Sequence, residues 1–145
     1  PASNPAGALA DSASLACVNL LSIASRLAIG LPYAYFGYQT IKEPGGRPAT
    51  AEAFGVPAEY AELSVKANGA VMVAGGLAVA AGVLPRLGAA AVAGAMVPTS
   101  LAGHAFWKET DPAAVTAHRT HFLKNLVMIG GLLAVAAMPS RRRPR

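Results

Sequence analysis

The chain has a single cysteine and few charges for its 145 residues. Cys17 lies alone in an apolar stretch, so no intrachain disulfide can form and no Cys-x-x-Cys relay exists. Dithiol exchange carried by this chain alone is thereby excluded. Charged residues make up 13% against 54% hydrophobic, a balance that points to a membrane bundle. Motifs of common soluble chemistry are also missing: there is no phosphate-binding glycine loop, nucleophile elbow or zinc-protease pattern. No cationic region precedes the first apolar stretch, only Asp11, so the N-terminus is not read as a cleaved signal peptide.

The net charge of +5 could suggest a nucleic-acid partner, but its distribution argues otherwise. Four of the twelve cations, Arg141, Arg142, Arg143 and Arg145, crowd the last five residues behind an apolar run. Such a tail (140–145) reads as an anchor facing anionic lipid headgroups. No nucleic-acid partner is expected.

Long uncharged runs are what the sequence does have. Residues 67–85 give nineteen positions without a charge, and residues 87–107 give twenty-one. About twenty apolar residues cross a bilayer core of roughly 30 Å. The two runs form a transmembrane hairpin, with Pro85 read as the residue that stops the helix and Arg86 as the one that seeks water. A first helix begins near Ser12 or Ser14, after a loose or interfacial segment over residues 1–11. A last helix opens at Asp111-Pro112, an N-cap followed by Pro at the first helical position, and runs to Ala137. The expectation is one all-α domain over residues 1–145, an integral membrane four-helix bundle spanning at about 14–41, 59–83, 87–107 and 114–137. Pro44-Gly45-Gly46-Arg47-Pro48 marks a loop, with one interfacial turn near residues 50–54. Pro98 is a predicted kink.

Residues 71–81 align without a gap on residues 127–137, with eight of eleven pairs identical. A duplicated helical hairpin and a chance match between two Ala/Gly/Leu/Val strings both remain open. Glycines in both strings would permit close helix contacts. Cation counts in the loops do not settle the orientation. The dense arginine tail favours a multi-pass membrane protein with both termini cytoplasmic.

Polar residues gather at the other surface. His118, His121 and Asn125 share one face of the last helix, with Lys124 adjacent, and His104, Trp107 and Lys108 close the third span. Lys66 and Asn68 open the second span, while Arg26 and Tyr33 share a face of the first. A mid-membrane arginine is costly, so Arg26 is expected inside the bundle, pointing at this cluster. Interfacial Lys, His and Trp also snorkel to headgroups with no further role. His104 and His121 could form a metal or haem pair, but two histidines without Cys or carboxylate at ligand spacing are weak evidence. No metal site is assigned and haem is disfavoured. Arg26, Tyr33, Asn68, His104, Trp107, His121, Lys124 and Asn125 are the candidate ligand-binding residues. Such donors beside apolar walls suit a membrane quinone or a lipid headgroup, and the sequence does not separate the two.

The segments Arg26-Leu27-Ala28-Ile29-Gly30, Gly75-Gly76, Pro85-Arg86-Leu87-Gly88, His104-Ala105-Phe106-Trp107 and His121-Phe122-Leu123-Lys124-Asn125-Leu126 together resemble the DoxX family. The resemblance covers about residues 26–137. It implies a four-helix bacterial membrane protein linked to redox metabolism. Relatives are associated with thiosulfate oxidation to the quinone pool and with oxidative-stress complexes holding sulfurtransferase and superoxide dismutase partners. Many carry an acidic residue in the second helix; here residues 68–82 contain none. The expected role is a membrane subunit of a redox-linked complex that anchors protein partners and offers a quinone or lipid pocket. The alternative is a non-catalytic structural or lipid-binding accessory subunit. With no electron source of its own, the chain is expected to act, if in catalysis at all, as a subunit of a quinone-linked oxidoreductase. A homo-oligomer is compatible with the sequence.

Overall fold

The computed structural model describes residues 5–138, with side chains from Ser14 onward. They form α1 (Pro5–Lys42), α2 (Arg47–Ala53), α3 (Ala58–Ala81), α4 (Pro85–Gly103) and α5 (Pro112–Ala137), with a short 3-10 turn (Phe106–Lys108) before α5. No strand occurs among the described residues. Helices α1, α3, α4 and α5 are each long and apolar enough to span a bilayer, so this is a multi-pass all-α membrane protein.

Packing follows chain order, with α1 on α3, α3 on α4 and α4 on α5. The bundle is a row rather than a closed ring, because α1 and α5 make no substantial contact with each other. In lipid the hydrophobic effect does little to join helices, so close van der Waals approach between small residues takes over. Helix α3 carries two such faces. A Cβ on Gly76 would lie 2.6 Å from the Gly30 carbonyl oxygen and 2.7 Å from the Ala34 nitrogen of α1. On its other face, a Cβ on Gly75 would lie 2.7 Å from Val92 Cγ2 and 2.8 Å from the Gly88 oxygen of α4. Around these contacts Met72, Val79, Val92, Met96 and Leu132 form the buried core.

Several boundaries differ from the sequence reading. Helix α1 already runs at Pro5, because no breaker separates residues 5–13 from the apolar stretch; residues 1–4 lie outside the described part. The α3–α4 turn is made by Gly82, not by Pro85. Gly82 adopts φ 70° and donates its N–H to the Ala78 and Val79 carbonyls, and Leu84 follows at φ 50°. Pro85 then starts α4, where its missing N–H costs nothing. Helix α4 ends at Gly103, short of Trp107, and the chain folds into the 3-10 turn. The single turn expected near residues 50–54 is the seven-residue α2. Pro57 is the N-cap of α3, which starts at Ala58. Helix α5 coincides with its expected bounds, and Asp111 accepts the Ala114 N–H at 2.8 Å.

The start of α4 and the last turn of α5 sit at one end of the bundle. Arg86 Nε donates to the Ala136 carbonyl at 2.8 Å, joining the start of α4 to the last turn of α5. Arg26 lies against Gly82 at the same end. The opposite end holds α2, the 3-10 turn and the start of α5.

A cleft between the first and last helices

Because α1 and α5 do not close on each other, they face across a cleft floored by α3 and α4, with a volume of about 1260 Å³. Its deep part is apolar, walled by Ile29, Tyr33, Met72, Met96, Met128 and Leu132. Its polar end is built by Asn68, Thr99, His104, His121, Lys124 and Asn125. Helix α2 lies across this end through Arg47, Thr50 and Phe54. Lys108 Nζ sits 4.0 Å from the Phe54 ring centroid, fastening α2 to the turn after α4. Pro32 and Pro98 interrupt α1 and α4, and both line the cleft.

The polar end is partly satisfied by the protein itself. Asn68 Nδ2 donates to Thr99 Oγ1 at 3.2 Å, and that hydroxyl donates to the Ala95 carbonyl at 3.0 Å. The His104 ring stacks on His121 with centroids 5.0 Å apart and planes at 17°. His118 adds a third ring 5.8 Å from His104 and has Glu109 3.8 Å away. The Nδ1 atoms of His104 and His118 are buried without a partner. Asn125 is only 9% exposed, yet its amide makes no hydrogen bond to any described residue. Tyr33 is buried to the same extent, and its hydroxyl also makes no hydrogen bond to a described residue. Buried polar groups are nearly always paired, so these atoms mark where hydrogen bonds are offered to something else. Among the described residues no group of three or more His, Cys, Asp or Glu is arranged to hold a metal ion.

Six of the eight candidate residues thus come together: Tyr33, Asn68, His104, His121, Lys124 and Asn125 all line the cleft. Arg26 and Trp107 do not. Arg26 points the other way, since long helical side chains lean toward their helix N-terminus and α1 runs antiparallel to α3. Its guanidinium packs on Gly82 and donates to Ser22, from Nη2 to the hydroxyl at 2.8 Å and from Nε to the carbonyl at 3.2 Å. The expectation of a mid-membrane arginine came from counting residues along the helix. Helix α1 is longer than a bilayer crossing, and Arg26 sits at the level where α3 ends. Trp107 is half-exposed in an edge-to-face cluster with Phe106 and Phe122, centroids 5.1 and 5.6 Å away, as an interface anchor would be. Missed from the sequence were Thr99 and the α2 residues, whose only signal was a short apolar-polar alternation within the proline-glycine loop.

With the geometry in hand, comparison with known proteins is informative. The DoxX family model matches residues 21–105. This chain belongs to the DoxX family. The match takes in α1 from Leu21, then α2, α3, α4 and His104, and it stops short of α5. No curated protein and no solved structure matches. In this DoxX chain the carboxylate-free stretch 68–82 forms the glycine-rich C-terminal half of α3 and its cap, whose work is packing. Cys17 is exposed on α1, outside the cleft.

Proposed function

We propose that this DoxX-family protein is a membrane subunit that holds an amphiphilic molecule, a quinone or a lipid, in the cleft between α1 and α5. The observation that carries the reading is a cleft with an apolar trough and one polar end with unpaired donors, set between two outer helices that make no substantial contact with each other. A buried Asn125 amide and an unpartnered His104 nitrogen suit carbonyl, phosphate or carboxylate oxygens. Apolar side chains at bilayer depth suit a hydrocarbon tail. The chain supplies binding and orientation; electrons for a bound quinone come from a partner in a redox-linked assembly of the bacterial inner membrane.

A second observation supports the partner. Residues 14–25 of α1 continue past the level at which α3 ends, for about 18 Å at 1.5 Å per residue. Leu15, Leu20, Leu21 and Ile23 on this segment are each more than half exposed. Ser14, Asn19, Ser22 and Ser25 interrupt this apolar surface, and nothing among the described residues covers it, so it is offered to a protein partner within the bilayer.

Purification in mild detergent, followed by organic extraction, mass spectrometry and an absorption spectrum, tests both parts. The account expects a stoichiometric quinone or lipid, with co-purifying proteins lost when residues 14–25 are made polar. A preparation free of tightly held amphiphile, from a well-folded sample, contradicts the pocket.

A further inference from the structure

We infer that the molecule held in the cleft carries a negatively charged head, a phosphate or carboxylate on a hydrocarbon tail, and enters sideways between α1 and α5. The inference rests on the amphiphile reading above and decides what kind of amphiphile is bound.

Charge is the first argument. The cleft is lined by two cations, Arg47 and Lys124, with the imidazoles of His104 and His121, and by no Asp or Glu. The carboxylates of this end are engaged elsewhere: Glu62 with Lys66, Glu43 with Lys42 at 3.8 Å, Glu109 with His118 at 3.8 Å, and Asp111 in the α5 cap. Glu52 and Glu59 are exposed and off the lining. Arg47 gives Nη1 to the Glu43 and Pro44 carbonyls and keeps its charge uncompensated. Lys124 has no carboxylate partner among the described residues. Cations at the edge of a bilayer without a counter-charge attract an anion.

Hydrogen bonding is the second argument. Asn125 is 91% buried, taking its 9% exposure, and its unpaired amide lines the same end as Lys124 one residue away in sequence. An amide N–H, the imidazole N–H groups and an ammonium make a set rich in donors, which charged oxygen acceptors satisfy better than neutral carbonyls.

Shape gives the third. Helix α2 lies over the polar end, whereas α1 and α5 flank the apolar trough without substantial contact with each other, which leaves the sideways route between them. Gly131 of α5 lines that trough, and a Cβ there would meet nothing within 4 Å. Its neighbour Gly130 is equally free of contacts but does not line the cleft.

This pair of glycines supplies the test. Native mass spectrometry of the detergent-solubilised chain would be titrated with dimyristoyl phosphatidylglycerol, dimyristoyl phosphatidylcholine and a decyl benzoquinone. We expect one tight adduct with phosphatidylglycerol, about tenfold preferred over phosphatidylcholine and the quinone, each tenfold being one decade in Kd. Gly131→Trp should abolish it while Gly130→Trp keeps it, both variants retaining wild-type helicity and elution volume. Lys124→Gln should bring phosphatidylglycerol to within about twofold of phosphatidylcholine. Equal binding of neutral and anionic probes, still blocked by Gly131→Trp, overturns the charge inference and leaves the cleft reading intact. Competition by inorganic phosphate alone overturns the amphiphile inference in favour of a free anion site. Adducts indifferent to Gly131→Trp overturn the cleft itself.

Discussion

At the residue scale, glycine shows best how one residue type does opposite things in two matching strings. Gly75 and Gly131 occupy equivalent places in the aligned runs of α3 and α5, yet Gly75 touches α4 while Gly131 faces open space. Which glycine is a contact was therefore not legible in the sequence: it depends on the neighbour, and α5 has none on that side. Gly76→Ala should destabilise the fold by about 1–3 kcal/mol, the usual range for overpacking. Gly131→Ala should be neutral or stabilising by up to about 1 kcal/mol, since alanine is the better helix former. Reversible unfolding in mixed micelles would measure both, and equal losses would contradict the packing described. Asn125 makes the complementary case. A buried amide with no protein partner costs stability, so Asn125→Leu should leave the unliganded fold as stable as wild type or more so, by about 1–3 kcal/mol, while weakening amphiphile binding. A strong loss of thermal stability on that substitution would show instead that the amide holds the helices together.

At the scale of elements, helix number and most lengths could be read from runs of uncharged residues, because bilayer thickness sets them. Helix faces could not. Membrane-spanning helices are apolar nearly all round, so the periodicity that reveals a core face in a soluble helix is lacking. Depth was misread for Arg26 because α1 is longer than a bilayer crossing, although its helix was located. The polar cluster was legible, since His104, His121, Lys124 and Asn125 sit on either side of a connection too short to separate them. Element ends carry their own test. Gly82 terminates α3 in a left-handed conformation and provides the surface on which Arg26 rests. Gly82→Ala should cost about 1–2 kcal/mol from the backbone alone, with further loss where the new Cβ meets the guanidinium. Arg26→Ala in the same background should recover that further loss but not the backbone part, an interaction a double-mutant cycle can read.

At the scale of the molecule, four spans place the α3–α4 turn and the start of α4 at the end that also carries Arg26 and Ala136, with α2 at the other. We propose that the turn is cytoplasmic, on the strength of Arg86 and the tail arginines. In intact cells, cysteine at Gly46 should react with an impermeant maleimide and cysteine at Val83 only after the membrane is opened; the reverse pattern would invert the protein. The open row is the central structural claim, because a closed ring would have no side entrance and no trough. Photolabelling in nanodiscs with a diazirine-bearing phosphatidylglycerol, mapped by peptide mass spectrometry, tests it most directly. The account predicts adducts concentrated on the cleft-lining Pro32, Phe36, Leu101 and Met128, well above those on Leu77 and Val127, which lie outside the cleft. Labelling confined to Leu77, Val127 and other positions outside the cleft, with the four cleft residues untouched, would contradict it.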